Sequence, residues 1–264
     1  MSLTEVAPGV WTTTSRTWST LSTVVVADDG RCLVVDPALA VTEVRELAAE
    51  ITSRGWRVVA GFSTHPHWDH VLWVPELGDV PRWATAAAVR CSVAHRADIL
   101  REARADAPGH DPRLIGRLTP LLADAATVPW DGPRAVVLPH RAHCIGSAAL
   151  VLPEQGVILT GDLVSDREVP LLDLDAPDPV GDHRVALQRL EQALEKYDLQ
   201  VLVPGHGSVG DPADLRARIA ADRAYLTALV AGGPFDDPRL ADPWVKGEHD
   251  RQLLWARGGR RAGV

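Results

Sequence analysis

Four side chains that bind metals well are concentrated in one short stretch of the chain. His65, His67, Asp69 and His70 place three imidazoles and one carboxylate within six residues. Borderline cations such as zinc prefer this mixture of nitrogen and oxygen ligands. Because the spacing is too close for an ordinary solvated loop, the segment predicts a metal site, and such a site can activate water or polarise a carbonyl group.

Three further metal-binding residues lie far along the chain, each at the end of an apolar, strand-like run. They are His143, Asp162 and His206. Strand ends in layered α/β folds converge on one edge, so four remote segments can bring their side chains to one cleft. The sequence therefore predicts a single cleft that contains seven metal-binding side chains.

Strands and helices alternate along the chain, and several predicted strands end next to these residues. Short apolar runs bounded by turn residues predict strands over residues 22–27, 31–36, 57–63, 82–84, 134–138, 147–152, 157–160 and 200–203. Apolar residues at helical spacing predict helices over residues 41–53, 114–122, 182–197, 212–230 and 249–255, with an Ala-rich helix before residue 107. Asp28-Asp-Gly30 joins the first two strands as a hairpin turn. Asp211 is the expected N-cap of the helix over 212–230, and Gly232-Gly-Pro234 is its expected stop.

The chain shows no internal repeat and no low-complexity linker, so we expect a single domain over residues 1–264. The alternation of elements favours two β-sheets flanked by helices. We expect residues 107–133 and 163–179 to form active-site loops, and residues 211–264 to form a C-terminal helical part. The arginines near the C-terminus, Arg257, Arg260 and Arg261, are expected in a frayed, solvated tail.

The ordered motifs resemble those of the metallo-β-lactamase superfamily, from the strand that ends at Asp36 through Val203-Pro-Gly-His206. The resemblance implies an α/β (α+β) fold, a four-layer αββα sandwich in which helices flank two mixed sheets. It also implies two zinc ions per chain, although iron and manganese suit the same ligands. Asp36 is similar to the family's structural aspartate, which supports the site loop.

The resemblance further implies how the seven residues divide between the two metals. The first metal would be bound by His65, His67 and His143. The second would be bound by Asp69, His70 and His206. Asp162 would bridge both metals with one oxygen each.

Within the superfamily, this set is similar to that of glyoxalase II-like thioesterases and lactonases rather than that of true β-lactamases. True β-lactamases lack the bridging carboxylate at the position of Asp162, and those with a cysteine ligand also lack a histidine at the position of His70. This chain has both residues. Diiron flavoprotein relatives carry Glu at the position of His67, and persulfide dioxygenases use a single iron.

The resemblance implies a hydrolase that cleaves a small-molecule ester, thioester or lactone with a metal-bridging hydroxide. Asp69 is the candidate catalytic residue, because a ligand close to the nucleophile can orient it and carry its proton to the leaving group. Phosphodiester cleavage is one alternative function. A metal-binding biosynthetic accessory protein or cyclase without hydrolytic turnover is another.

The candidate substrate contacts are Trp68, His110 and His183, because Trp68 lies within the metal motif and the two histidines lie in or near the expected loops. Trp18 and Trp73 could join Trp68 in lining an apolar pocket.

The composition restricts the partners. The formal charge of −8 disfavours nucleic acid and anionic membranes. The start of the sequence lacks the basic and apolar regions of a signal peptide, and no apolar run is long enough to span a membrane, so we expect a cytoplasmic protein. Three cysteines without a paired spacing are typical of a reducing compartment. A small-molecule substrate remains the expected partner, and the sequence leaves the oligomeric state open.

Overall fold

β-Branched residues dominate the strands, which assemble into two mixed sheets. The computed structural model describes residues 2–233 and 235–258. The first sheet contains seven strands in chain order: β1 (Thr4–Ala7), β2 (Val10–Thr14), β3 (Leu21–Val26), β4 (Arg31–Val35), β5 (Arg57–Phe62), β6 (Arg82–Ala84) and β7 (Thr119–Pro120). Strands β1 to β4 are antiparallel, and β4 to β7 run parallel.

The second sheet is built from the C-terminal half of the chain. It contains four strands: β8 (Val136–Pro139), β9 (Ala148–Leu152), β10 (Val157–Leu159) and β11 (Val201–Val203). Their spatial order is β11-β10-β9-β8, with β10 and β11 parallel and the other pairs antiparallel.

Helices cover the outer faces of the two sheets. They are α1 (Val41–Ser53), α2 (Ala86–Ala94), α3 (Arg96–Asp106), α4 (Pro179–Lys196), α5 (Pro212–Ala231) and α6 (Pro243–Gly258). Asp211 caps α5 as predicted, because its carboxylate accepts from the main-chain nitrogens of the first turn, and Gly232 ends the helix at φ 68°. The predicted stop at Pro234 and the tail residues Arg260 and Arg261 lie outside the described residues.

Alternation of buried side chains creates the four layers. In the first sheet, Val25 and Leu33 face the second sheet, whereas Val24 and Val34 pack against α1. In the second sheet, the inward residues of β9 and β10 complete the central core, and the outward residues pack against α4 and α5. The αββα sandwich implied by the resemblance is therefore confirmed. Within the described ranges, no helix has the length and apolar character needed to cross a bilayer.

The structure corrects the predicted helix over residues 114–122. Gly116 has a φ of 63°, Pro120 cannot donate a helical hydrogen bond, and residues 119–120 instead form the edge strand β7 beside β6. Two further differences concern lengths. The Ala-rich helix divides into α2 and α3 at His95, and α6 is longer than the predicted 249–255.

The two halves of the chain are joined by main-chain hydrogen bonds at one edge of the sandwich, which we call the seam. Leu21 N donates to Gly205 O at 2.8 Å and Gly207 N donates to Ser19 O at 3.0 Å. Within the C-terminal half, Gly205 N donates to Gly161 O at 2.7 Å and holds the same loop. The seam therefore fixes the loop that carries His206 against the start of β3.

Candidate metal centre

The seven predicted metal-binding residues come together at the seam edge of the sandwich. His65 follows β5, Asp162 follows β10 and His206 follows β11, while a short 3-10 turn over Trp68–His70 carries Asp69 and His70. The possible ligand atoms form two groups, with the atoms of each group within 4.8 Å of one another: His65, His67, His143 and Asp162; Asp69, His70 and His206. The resemblance implies the same histidines in each group, but it places Asp162 between the two groups rather than in the first.

In the second group, the outer nitrogens of both histidines are held by fixed acceptors. His70 Nδ1 donates to Asp36 Oδ2 at 2.9 Å, and His206 Nδ1 donates to the main-chain oxygen of Trp18 at 3.0 Å. When the outer nitrogen of a neutral imidazole carries the proton, the inner nitrogen presents a lone pair. The two Nε2 atoms lie 3.3 Å apart, and they lie 3.3 Å and 3.2 Å from Asp69 Oδ2. With both imidazoles neutral, three acceptor atoms therefore face one another.

His65 has the same arrangement in the first group. The hydroxyl of Thr64 donates to Asp36 Oδ2 at 2.6 Å, so its oxygen accepts the proton of His65 Nδ1 at 3.0 Å. His65 Nε2 is buried without a hydrogen-bond partner in the described part of the chain and lies 3.3 Å from Asp162 Oδ2. A buried lone pair directed at a carboxylate is costly unless a cation lies between them.

His143 completes this group. Its Nδ1 donates to the main-chain oxygen of Leu171 at 3.1 Å, so its Nε2 presents a lone pair. That nitrogen lies 2.8 Å from His67 Nδ1 and 3.2 Å from Asp162 Oδ2. The possible ligand atoms of the first group therefore also converge, and the group fits a metal ion.

Asp162 lies between the two groups. Its Oδ2 lies 3.3 Å from His65 Nε2, 3.2 Å from His143 Nε2 and 3.5 Å from His206 Nε2. Its Oδ1 lies 3.2 Å from His70 Nε2 and has no hydrogen-bond donor among the described residues. The carboxylate therefore contacts histidines of both groups, and Oδ1 faces the second group only. Gly205 permits this approach, because a Cβ at that position would lie 2.1 Å from Asp162 Oδ1.

Protons compete with cations for this centre. Burial disfavours charge on His70, but the carboxylates of Asp162, Asp69 and Asp36 outweigh burial and hold its pKa well above the usual value. Burial likewise opposes charge on Asp69, and the neighbouring His70 and His206 hold its pKa well below the usual value. In the metal-free protein the carboxylates thus attract protons onto histidines, and binding of a cation must release them.

Asp36 supports both groups, as the resemblance implies. It is 3 % exposed, and its carboxylate accepts from Thr64 N at 2.8 Å, from the Thr64 hydroxyl and from His70 Nδ1. Through these bonds it orients His70 directly and His65 through Thr64. Its own backbone is left-handed, with a φ of 48°.

A cavity of about 1050 Å³ opens onto the metal-binding residues. Trp68 lies in its wall, together with Trp18, which the sequence analysis also named, and Trp244, which it did not. Residues 171–177 of the expected loop 163–179 line the cavity, whereas segment 107–133 contributes none of the lining among the described residues.

The structure does not bring His110 or His183 to this cavity. His110 Nε2 donates to the main-chain oxygen of Leu39 at 2.8 Å. His183 is fully buried on the core-facing side of α4, and neither ring nitrogen has a partner among residues 2–233 and 235–258. Burial lowers its pKa to about 3. Proximity to a loop in the sequence did not reveal which way each ring faces.

Glu168 is a residue of this cavity that sequence reasoning missed. Its Oε1 lies 3.9 Å from His206 Nδ1, its side chain is 12 % exposed, and burial raises its pKa to about 7. It lies in a Pro- and Asp-rich loop without a recognisable motif, so only its place in the fold identifies it.

The fold and the two groups define a metal-binding protein of αββα architecture. A family model described as the metallo-beta-lactamase superfamily matches residues 16–206. The chain therefore belongs to the metallo-beta-lactamase superfamily, whose members are mostly metal-dependent hydrolases.

Several solved structures share this fold. A metallo-beta-lactamase family protein from Thermus thermophilus is 23% identical, with 96% of this chain and 91% of that chain covered and a TM-score of 0.66. A beta-lactamase domain protein from Burkholderia ambifaria is also 23% identical, with 87% and 75% covered and a TM-score of 0.65. A metallo-beta-lactamase from Pontibacter korlensis is 19% identical, with 84% and 98% covered and a TM-score of 0.60. At these identities the likeness shows the fold alone. No curated protein matches the chain by sequence.

Proposed function

We propose that this protein is a dinuclear zinc hydrolase that cleaves a small-molecule ester, thioester or lactone. The proposal rests on one observation: nitrogen and oxygen atoms that can bind a metal converge in two adjacent groups beside a large cavity. Asp162, whose carboxylate contacts histidines of both groups, favours a pair of cations over a single one. His and Asp ligands suit zinc, and iron or manganese would be outcomes of the metal analysis.

The residues of the chain divide the work of such a reaction. His65, His67 and His143 would hold one cation, the Asp69 group would hold the other, and Asp162 would bridge them. Bound cations of this kind lower the pKa of a coordinated water toward about 7 and polarise a carbonyl group. Asp69 lines the cavity with Oδ2 directed at His70 and His206, which leaves Oδ1 to take a proton from the attacking water and return it to the leaving group.

The acidic character of the chain supports a small-molecule substrate rather than a nucleic acid. A formal charge of −8 repels polyanions, and the cavity lining contains no lysine among the described residues. Phosphodiester cleavage is therefore the weaker of the two hydrolytic functions.

The test is metal content per chain together with hydrolysis of thioesters, lactones, β-lactams and phosphodiesters, before and after chelation. We expect about two zinc ions and chelator-sensitive turnover of a carbonyl substrate. Asp162→Asn should lower turnover by about a hundredfold or more, because the bridging charge is lost. The matched control is Asp131→Asn, since that side chain is 86% exposed and lies away from the cavity lining.

Each other outcome points to a different conclusion. One iron per chain, or no metal, would overturn the dinuclear zinc mechanism. Full metal occupancy without hydrolysis of any substrate would favour an accessory protein or cyclase. Turnover confined to phosphodiesters would favour the nuclease alternative.

A further inference from the structure

Carboxylates dominate the lining of the cavity over the metal centre. Besides the metal-binding aspartates, seven carboxylate side chains line it, against two guanidinium groups. Four of the seven, Asp106, Glu168, Asp173 and Asp175, have no arginine or lysine partner among the described residues. The potential that they create attracts cations and repels anions.

The two arginines of the lining do not offset this charge. Arg141 Nε lies 3.4 Å from Asp182 Oδ2, and Arg251 Nε lies 3.0 Å from Glu248 Oε2. Each guanidinium is already paired with a carboxylate, so apart from the cations of the metal centre the described lining offers no unpaired positive side chain to a substrate carboxylate or phosphate.

Three tryptophans stand together in the same cavity. Trp18 lies with its ring centroid 5.6 Å from that of Trp68 and 5.7 Å from that of Trp244. Trp18 and Trp244 are 41% and 46% exposed. Indole faces attract ammonium groups more strongly than other aromatic side chains do. The two accessible indoles, Trp18 and Trp244, lie beside carboxylates and are therefore a suitable surface for an ammonium group.

The backbone at Trp18 is an independent sign that this indole has a role. Trp18 has a φ of 63° and the next residue, Ser19, has a φ of 52°. Bulky residues rarely adopt this left-handed conformation, and such outliers cluster at ligand-binding sites. The main-chain oxygen of Trp18 also accepts from His206 Nδ1, so the same residue contacts the metal centre and presents its ring to the cavity.

A second cavity, of about 680 Å³, adjoins the first, and the two share the side chains of Trp18, Glu168 and Trp244. We call these three residues the shared wall. Arg167 and Arg239 also line the second cavity, and Arg239 is paired with Asp222 and Asp237. Glu168 Oε1 lies 3.9 Å from His206 Nδ1, so the shared wall lies directly beside a metal-binding residue. A group bound there would be only a short spacer away from a carbonyl at the metal centre.

We propose that the shared wall binds an ammonium group of the substrate, so that the enzyme selects cationic esters or thioesters over neutral and anionic ones. This inference rests on the proposed hydrolytic function and names the substrate class of the same site. The indoles contact the methyl or methylene groups around the nitrogen, and the carboxylates balance its charge.

The test uses three thioacetates of similar size with different charges. Acetylthiocholine carries a permanent positive charge, 3,3-dimethylbutyl thioacetate is its neutral isostere, and 3-carboxypropyl thioacetate is anionic. We expect kcat/KM for the cationic ester to exceed that for the neutral one by about tenfold, the range of one or two cation–π contacts. The anionic ester should be the poorest of the three.

Variants locate the effect. Glu168→Gln and Trp244→Leu should each lower the ratio of cationic to neutral kcat/KM toward one. Asp131→Asn and Trp56→Leu should leave the ratio unchanged, because neither residue lines the two cavities that share the wall. A ratio near one in the unaltered protein, or a ratio that survives both shared-wall variants, would overturn the inference.

A binding measurement separates this inference from the proposed function. Benzyltrimethylammonium is titrated into the full-length protein, metal-loaded and chelated, and bound ligand is followed by isothermal calorimetry and tryptophan fluorescence. Binding that weakens in Trp244→Leu supports the shared wall even when no ester is hydrolysed, in which case the hydrolytic function fails alone. Hydrolysis of the esters without any binding of the cation removes the inference and leaves the function standing.

Discussion

Replacement of Asp36 by Asn tests whether this buried carboxylate organises the metal centre. The wild-type side chain accepts three hydrogen bonds, from Thr64 N, from the Thr64 hydroxyl and from His70 Nδ1. Asparagine has the same shape and tolerates the left-handed φ of 48° at this position, so the substitution removes charge without adding backbone strain. Its amide has one acceptor oxygen only, so at least one of the three donors loses its partner.

The magnitude follows from those bonds. Hydrogen bonds to a charged group contribute about 1.5–3 kcal/mol each, against about 0.5–1.5 kcal/mol for neutral ones, so we expect Asp36→Asn to lower the free energy of unfolding by about 2–3 kcal/mol. For a chain of this length that corresponds to a fall in Tm of about 5–10 °C. Since His70 and His65 lose their orientation, zinc affinity should fall by about 10–100-fold.

Two assays read these effects separately. Zinc affinity is measured by competition with a chromophoric chelator, and Tm is measured on the metal-free protein. Asp131→Asn makes the same chemical change on an exposed side chain and should alter neither value. If Asp36→Asn binds zinc within about threefold of the unaltered protein, short of the fall expected from a lost orienting partner, Asp36 does not position the histidines, and the argument from the outer nitrogens is wrong.

Three further changes test other parts of the structure. The buried His183 has a folded pKa of about 3, below the value of about 6.5 for an unfolded histidine, so only the unfolded state gains its proton as the pH falls. This protonation should lower the free energy of unfolding by about 2 kcal/mol between pH 7 and pH 5. Urea titrations of His183→Leu should therefore show a shallower pH dependence than those of the unaltered protein. Arg239→Met should destabilise by about 3–5 kcal/mol in chemical denaturation, because it leaves the carboxylate of Asp222, 2.6 Å from the guanidinium, buried without its partner, whereas adding Asp222→Asn should recover part of the loss. Gly146→Ala should destabilise by about 3 kcal/mol or more in chemical denaturation, because a Cβ there would lie 2.2 Å from a main-chain nitrogen of α2. Gly55→Ala is the control, since Gly55 has a similar positive φ but no described atom within 4 Å of the added Cβ, and it should cost only about 1–2 kcal/mol.

The elements with strong local signals could be predicted from sequence. Helix α1 begins and ends at the predicted residues 41 and 53, since its apolar residues follow one helical face. Strand ends located the metal-binding segments, because successive strands of a layered fold bring their ends to one edge. The seven side chains could therefore be assigned to one cleft from local sequence patterns alone.

What could not be predicted depends on orientation and on distant contacts. Residues 114–122 have apolar residues at helical spacing, yet pairing with β6 and the left-handed Gly116 determine their conformation. His183 lies near a loop in sequence, but its helix turns it into the core. Glu168 and Trp244 become neighbours of the metal centre only when residues 163–179 and α6 pack around it, and no local pattern records that packing.

The seam has a consequence for the motions of the molecule. Main-chain bonds from Leu21 to Gly205 and from Gly207 to Ser19 tie the two halves of the sandwich on either side of His206. Opening the seam would separate His206 from its metal-binding partners, so metal binding should stabilise the closed seam. At a metal concentration about one hundred times Kd, this stabilisation is about 2.7 kcal/mol. The backbone amides of Leu21 and Gly207 would therefore exchange their hydrogens more slowly with solvent as metal is added. A cation bound by these side chains would therefore stabilise the contact between the two sheets.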